Sequence, residues 1–592
     1  MFITGRIELK FHKMKQLWSF QLHLTNENTH ELNKSEKKLT LVLSNPWSIF
    51  LILAAITIST IHIDAFYYTH DTAKWFVIDV TMSSFIFFSL FRTNRLTIGY
   101  LGILVLVLLY WMSISLWWAP HKVAGIEFLL RFMNVCLFVY CLQKKYSKED
   151  LTDLILWLVF LAALAFNLVF IVERLVLHAP YNIGTFSPIG FINNTSAVFN
   201  IWIPLLVIFC IRQRKKPVQL IAGLITTIGI VSILIQTGTR AVIIGLSVSE
   251  LLIFLFMLKK NMRQAFLFLT ISALLALGLG IYHTFDSLQD GRLNARLSLI
   301  QNSIGSSYEK RIDMLLNTWH MTIDNPWGVG VNNFEYLHPK YAKVGQENAS
   351  PYVNEHQILR TPHNLVIKVF SELGYFGGLL FLLLLTSSFL LALINAWRGS
   401  YIDKWLFVAL SATLFHSMAS AVLLTPVSLF FFALLLATIQ ARFEAVVYLA
   451  DRFSIRLPML LRIIYPAVII LSVLSISSEY FAHQGRSNFS GNQLEKALLL
   501  NPQNDRALLE LSQFRLLRDQ DVQGSLEVLD QFLSVYPYHI AALQMKAERH
   551  YQLDELHSSQ QTLNKLLGFY PTYKKAQRLK QLIDIKIKRK TR

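Results

Sequence analysis

The sequence has 592 residues, of which 54% are hydrophobic and 16% charged, and its net charge is +18. Apolar residues occur in runs of about 20, the length that a bilayer-spanning helix requires. This composition excludes a soluble globular chain and predicts an all-α polytopic membrane protein. The positive charge reflects the orientation of membrane loops, and because no nucleic-acid motif accompanies it, we expect no nucleic-acid partner.

The apolar runs begin after a polar N-terminal segment. Residues 1–42 are of mixed charge and lack the apolar core of a signal peptide, so we expect them to stay in the cytoplasm. The runs then predict 12 to 13 transmembrane helices, nine of them in residues 43–283 and four in residues 363–480. The predicted spans are 47–63, 75–91, 96–118, 123–142, 151–172, 195–211, 218–236, 241–258, 265–283, 363–394, 405–424, 427–445 and 463–478.

Two features of these spans bear on their chemistry. The span at 123–142 is the weakest prediction because it carries Glu127 and Arg131. The three cysteines lie within or beside apolar spans, so neither a disulfide framework nor a cysteine metal site is expected. They are Cys136, Cys141 and Cys210.

The connections between spans alternate in charge. Basic connections occur at 92–95, 144–148, 212–216, 259–263 and 442–462. The positive-inside rule places them in the cytoplasm. The long connection 284–362, hereafter the long loop, is therefore predicted to be periplasmic, in a bacterial inner membrane. An odd number of spans would place residues 481–592 in the periplasm as well.

Two arginines lie on the predicted periplasmic side. Arg240, in QTGTRAV, stands between the seventh and eighth predicted spans, where a charge at mid-membrane depth costs about 2.5 to 3.5 kcal/mol and less at the interface. Arg311 lies in the amphipathic stretch YEKRIDMLLNTW of the long loop. Each also has a simpler interpretation, Arg240 as a snorkelling side chain and Arg311 as a solvated charge. DNPWGVGVNNF (324–334) is typical of a turn-rich backbone.

The long loop ends at RTPHNL (360–365), at the mouth of a predicted span. Thr361 and Pro362 predict an N-cap and a first helical position, which would put His363 and Asn364 in a first turn that favours an anion. The simpler interpretation is a capped helix with polar residues at the headgroup level. Four residues apart on this helix, Lys368 and Glu372 predict a structural ion pair. His338, His356 and Glu355 of the long loop lack the spacing of metal ligands, so we expect no metal site.

Residues 481–592 change to soluble amphipathic helix and contain a repeat. Pro502, Pro537 and Pro571 lie 35 and 34 residues apart, and an alanine follows each proline by five positions. A period of about 34 with these residues is typical of tetratricopeptide repeats, which form an α-solenoid. Such a region predicts a protein partner; the alternative is that it stabilises the membrane region or a homo-oligomer.

Taken in order, these motifs resemble the O-antigen ligase superfamily. The resemblance rests on the GTR arginine at a span junction, the large loop with Arg311 and Trp319, NPWGVGVNNF, and HNL followed by LG and GG up to Gly378. It implies a metal-independent and cofactor-independent glycosyltransferase that uses an undecaprenyl-pyrophosphate-linked glycan as donor. It also implies that Arg240, Arg311 and Asn364 bind the donor pyrophosphate and that His363 is catalytic.

The residue chemistry agrees with this resemblance. Guanidinium groups bind phosphate oxygens in bidentate fashion, and an imidazole accepts a proton from an acceptor hydroxyl near neutral pH. Three acceptors are compatible with the sequence: lipid A core, a protein such as a pilin, and a growing polysaccharide. A non-enzymatic transporter or assembly scaffold is the alternative from another class, but a transporter would show two matched halves with interrupted helices.

Overall fold

The fold is known from a computed structural model, which confirms an all-α polytopic membrane protein. The model describes residues 45–63, 65–66, 71–91, 96–97, 99–177, 186–237, 239–258, 311–351, 353–355, 357–443, 454–455 and 458–590. Within these ranges, 7 helices are long and apolar enough to cross a membrane, and three shorter apolar helices accompany them. The N-terminal segment and the ninth predicted span, 265–283, lie outside the described residues.

Twelve helices in the described ranges coincide with the other predicted spans. In the first half of the chain they are α1 (Pro46–Thr60), α2 (Thr72–Phe91), α3 (Tyr100–Ser115), α4 (Lys122–Lys145), α5 (Lys148–Ile171), α6 (Ile192–Arg212), α7 (Pro217–Thr237) and α8 (Arg240–Leu258). A π-helical turn, Val172–Val176, extends α5. In the second half they are α11 (Leu365–Arg398), α12 (Tyr401–Ser417), α13 (Pro426–Ala441) and α14 (Pro458–Ser487).

The long loop contributes two further helices. Residues 311–324 form α9, and Phe334–Leu337 form the single turn α10, which continues into a 3-10 turn at His338–Lys340. A second 3-10 turn, Val422–Leu424, joins α12 to α13. These short elements all lie at the end of the bundle where α11 begins.

The charged span 123–142 is stabilised by a buried ion pair. Arg131 on α4 places Nε 3.2 Å from Asp79 Oδ2 on α2. The Ser472 hydroxyl on α14 donates to the same Asp79 oxygen over 2.7 Å. Because a charge is tolerated in a membrane protein when it faces a partner inside the bundle, the pair explains how this helix keeps its arginine.

Described parts of the basic connections lie together at one end of the bundle. Arg212 lies 2.5 Å from Asp153, and Arg442 lies 2.5 Å from Asp403. The two-residue strands β1 (Leu96–Thr97) and β2 (Ser454–Ile455) pair antiparallel at this end. The described parts of the connections at 144–148, 212–216 and 442–462 thus lie at one end of the bundle, and the grouping of all five connections and their placement in the cytoplasm stay predictions.

The C-terminal region is a row of antiparallel helices. They are α15 (Gly491–Leu500), α16 (Asp505–Leu517), α17 (Val522–Val535), α18 (Ile540–Gln552), α19 (Leu556–Phe569) and α20 (Lys574–Lys590). Each helix packs against the next, and the alanines at the three equivalent positions, Ala507, Ala542 and Ala576, are fully buried. This arrangement is the helical-hairpin array that the period predicts, although its tetratricopeptide identity stays a prediction.

The C-terminal helices pack directly on the long loop. One hydrophobic core joins Met314, Phe334 and Val344 of the loop to Leu543 and Leu563 of α18 and α19. The Tyr536 hydroxyl donates to the Glu335 carbonyl over 2.8 Å, and Lys575 lies 2.7 Å from Glu355. The long loop therefore completes its core only with the C-terminal region in place.

Candidate functional site

The loop NPWGVGVNNF lies against the second and third turns of α11 through two glycines. Gly328 and Gly374 have φ of +83° and +68°, and a Cβ on Gly374 would lie 2.2 Å from the Pro326 carbonyl oxygen. Glycine is the residue that adopts this backbone geometry at little cost. The glycines of the turn-rich run thus allow its backbone to contact α11.

Hydrogen bonds fasten this contact. The Val329 N–H donates to the Ser371 carbonyl over 3.0 Å, and the Gly330 N–H donates to the Glu372 carbonyl over 2.9 Å. The Glu372 side chain accepts the Phe334 N–H over 3.2 Å and pairs with Lys368. Both charged side chains are buried, so the predicted structural ion pair is confirmed.

The mouth of α11 differs from the predicted cap. Asn364, and not Thr361, is the N-cap: its Oδ1 accepts the Ile367 N–H over 3.0 Å, and the helix begins at Leu365. The prediction of Thr361 as N-cap and Pro362 as first helical residue was wrong by three positions. The Thr361 hydroxyl instead accepts the His363 N–H over 3.1 Å in the turn before the helix.

His363 consequently precedes the helix, in an unusual backbone conformation. Its φ is +51°, a region that non-glycine residues adopt at a cost of about 1 to 3 kcal/mol and that clusters at functional sites. On its other side, the Asn364 amide donates to the Met418 carbonyl at the end of α12 over 2.9 Å. These contacts hold the backbone of His363 between the long loop and the end of α12, next to the positive end of α11.

Arg311 lies within electrostatic range of His363. Burial lowers the pKa of His363 from its ordinary value, and the positive charge of Arg311 lowers this pKa further. His363 is half-buried, whereas Arg311 is exposed at the start of the described part of α9. A guanidinium beside an imidazole at the mouth of a membrane helix is suited to bind an anion and accept a proton.

A second histidine shares this neighbourhood and was missed in the sequence. His416, near the end of α12, is also within electrostatic range of Arg311, and its Nδ1 lies 2.9 Å from the Asn200 amide nitrogen on α6. The available signal was a polar residue inside an apolar span, which suggests function by default in a membrane protein. His416 and Asn200 are both buried, so they support the site from within the bundle.

Arg240 is placed at the same end of the bundle. It is the first residue of α8, and a Cβ on Gly245 of that helix would lie 3.0 Å from the Ala412 carbonyl oxygen of α12. Gly245 lies five residues after Arg240, the first residue of α8. Ala412 lies five residues before Ser417, the last residue of α12. Within the described ranges, no hydrogen bond or ion pair joins Arg240 to Arg311 or His363, so its share in one donor site stays a prediction.

Asn364 acts in this structure through its cap and through its bond to α12, and its contact with a diphosphate stays a prediction. The C-terminal region contacts Glu335 of the long loop through the Tyr536 hydroxyl, and the Glu335 carboxylate lies 3.8 Å from Arg360 Nε, three residues before His363. In the part of the chain that the structure describes, no group of three or more His, Cys, Asp or Glu side chains is arranged to hold a metal ion.

Comparison with known families agrees with this geometry. Residues 225–382 match the family model described as O-antigen ligase, a segment that runs from α7 into α11 and contains Arg240, Arg311, His363 and Asn364. No curated protein matches the chain. Over this segment the polytopic membrane protein is therefore similar to the O-antigen ligase family, which supports a membrane enzyme with glycosyltransferase-type activity.

Proposed function

We propose that the protein transfers a glycan from an undecaprenyl-pyrophosphate carrier to a periplasmic acceptor hydroxyl, and that the acceptor is the core saccharide of lipid A. The observation that supports this proposal is that Arg311 lies within electrostatic range of the half-buried His363 at the mouth of α11. The lipid tail of such a donor lies in the bilayer and its diphosphate lies at the headgroup level. The mouth of α11 is where a membrane helix and the long loop meet at that level.

In the proposed reaction, an acceptor oxygen forms a bond to the anomeric carbon of the glycan while the bond from that carbon to the diphosphate breaks. The proton of the acceptor hydroxyl passes to His363. The electron pair of the broken bond stays on the diphosphate, whose added negative charge is stabilised by Arg311 and by the N-terminus of α11. We assign Arg240 and Asn364 to the same diphosphate.

The positive charge of Arg311 makes the basicity of His363 depend on whether the donor is bound. In the free enzyme, burial and Arg311 lower the pKa of His363, so the imidazole is neutral but weakly basic at pH 7. A bound diphosphate brings negative charge that opposes the field of Arg311 and raises this pKa again. His363 is therefore the stronger base when the donor is present, which limits unproductive proton uptake in its absence.

The test is transfer in native membranes by three variants. Arg311→Lys keeps the charge but loses the planar fork that binds two phosphate oxygens, so we expect a large loss of transfer with normal abundance. His363→Ala and His363→Gln should both be inactive, because neither side chain accepts a proton near pH 7. Donor binding, measured separately with labelled lipid-linked glycan, should persist in both His363 variants.

Matched controls separate these effects from general damage. Arg398→Lys changes an exposed arginine at the other end of α11, and His557→Gln changes an exposed histidine on α19; both should transfer normally. Near-native transfer by His363→Gln would reduce His363 to a structural residue of the turn. Full activity of Arg311→Lys would remove the bidentate diphosphate contact from the proposal.

A further inference from the structure

The exposed face of α9 is more apolar than its buried face. The buried face packs on the core that the long loop shares with the C-terminal helices. It carries two methionines and three polar residues, Met314, Met321, Asn317, Thr318 and Thr322. The opposite face carries four apolar residues at the helical spacing i, i+4, i+7 and i+11, which we call the outer stripe: Ile312, Leu316, Trp319 and Ile323. Each of the four is 36 to 51% exposed, whereas a helix on a soluble protein turns its polar face outward.

The helix α9 runs beside the first turns of α11. At its start, α9 lies at the candidate site described above. In its middle, the Trp319 ring centroid lies 6.3 Å from that of Phe370. Just past its end, the Pro326 carbonyl accepts the Tyr375 N–H over 3.0 Å. The two segments are therefore side by side and run in the same direction.

The first turns of α11 lie along one surface of the membrane. The helix breaks at Gly374, and residues 375–398 after the break extend about 36 Å. Its neighbour α12 has 17 residues and extends about 26 Å, so both stretches are close to the hydrocarbon thickness of about 30 Å. Because a short turn joins these stretches at their other ends, the break in α11 and the end of α12 lie at the same membrane surface. Asn364 bonds the Met418 carbonyl at the end of α12, so residues 365–373 connect two points of that surface, and α9 beside them lies in the same plane.

The outer stripe is turned toward this surface. The C-terminal helices pack on the opposite face of α9, which leaves the stripe on the side away from them. The Trp319 ring centroid lies 6.1 Å from that of Tyr375, the first residue after the break in α11. His320 and Asp324 are exposed along one edge of the stripe. An apolar stripe with polar edges, in contact with the start of a span, is typical of a helix that lies in the membrane interface.

We propose that α9 is an interfacial helix whose outer stripe inserts among the lipid acyl chains at the bilayer surface. The bilayer is then a binding partner of the long loop itself, in addition to the solvent of the spans. This contact holds Arg311, at the start of the described part of α9, near the depth of the lipid phosphates. The membrane contact is independent of the reaction proposed above, because it depends on the stripe residues and not on His363.

A fluorescent label on the stripe tests this contact. Leu316→Cys carries an NBD label in the full-length protein, which is reconstituted into vesicles of phosphatidylethanolamine and phosphatidylglycerol. The emission should shift to a shorter wavelength than in water, and a nitroxide on a phosphatidylcholine acyl chain should quench it. A nitroxide near the headgroup should quench more than one near the chain end, because an interfacial helix lies about 5 to 10 Å into the boundary between headgroups and chains. Ile323→Cys should give the same result.

An exposed leucine outside the stripe gives the matched control. Leu517 is 66% exposed at the end of α16, in the C-terminal region. The label on Leu517→Cys should show the emission of water and no quenching by either nitroxide. The native cysteines are buried or half-buried, and wild-type protein labelled in parallel gives their background signal.

Three results would overturn the interfacial assignment. The first is the emission of water at position 316. The second is equal quenching at positions 316 and 517, which would mean that the stripe meets lipid no more than the C-terminal region does. The third is a shifted emission at position 316 without quenching, which would mean that protein covers the stripe, either a second copy of the chain or its residues 259–310, outside the described ranges.

Discussion

Gly374→Ala should open the junction between the long loop and α11 without unfolding the membrane bundle. Gly374 has φ +68° and ψ −170°, a region in which an alanine costs about 1 to 3 kcal/mol. Its new Cβ would also lie 2.2 Å from the Pro326 carbonyl oxygen and 2.5 Å from the Trp327 carbonyl carbon. The backbone segments must therefore separate.

Separation breaks three backbone hydrogen bonds. Two are the bonds from Val329 and Gly330 to α11, and the third runs from the Tyr375 N–H to the Pro326 carbonyl over 3.0 Å. Each bond contributes about 1 kcal/mol. Their loss and the backbone strain together lower the stability of the junction by on the order of 4 kcal/mol. Because 1.4 kcal/mol is a factor of ten, amide exchange at these three positions should accelerate by about a thousandfold.

Hydrogen exchange followed by mass spectrometry on peptides covering 326–334 and 371–375 measures this effect. Transfer activity should fall with it, because the junction positions α9 and the mouth of α11. Gly568→Ala is the control: a Cβ there meets no atom within 4 Å, and the helix gains about 1 kcal/mol. Unchanged exchange in Gly374→Ala would refute the claim that the glycine contact holds the loop.

Three further outcomes are expected. Because the pKa of His363 is lowered, the imidazole of the free enzyme stays neutral below the ordinary pKa of about 6.5; the acid limb of kcat/KM should lie below that pH, and a limb above it would contradict the effect of burial and Arg311. Asn364→Ala should destabilise the protein by about 1 to 2 kcal/mol, and Asn364→Asp should destabilise it less because Asp retains the cap. Thermal unfolding in detergent compares the two variants, and equal losses of stability would contradict this prediction. Glu372→Gln should cost about 3 to 5 kcal/mol because it leaves buried Lys368 unpaired, and adding Lys368→Met should recover part of the loss; no recovery in this double variant would argue against the pair.

The sequence predicted most of the membrane helices because apolar length is a local property. Each described span is a continuous run that a bilayer selects whatever its neighbours are. The span that contains Arg131 was the exception. Because its partner Asp79 lies on another helix, the sequence of the span showed only the cost of placing a charge in the membrane.

The residues of the candidate site could be proposed from the sequence, but their geometry could not. His363 and Arg311 were recognisable by type and order, yet the cap moved to Asn364 because its side chain also bonds α12, a contact that a local rule does not contain. The contact between Gly328 and Gly374 joins positions 46 residues apart in the chain. His416 was missed because it is a single polar residue in an apolar run. Its partner lies on α6, far away in sequence.

The shared core of the long loop and the C-terminal helices also orders events in time. A ribosome completes residue 359 of the loop roughly 200 residues before it completes Ile583, the last buried residue of that core. At about 5 to 20 residues per second, the nascent loop waits on the order of 10 to 40 s for its packing partners. The core beneath the candidate site is thus completed last, and we expect a chain that terminates early to insert its membrane helices without completing that core.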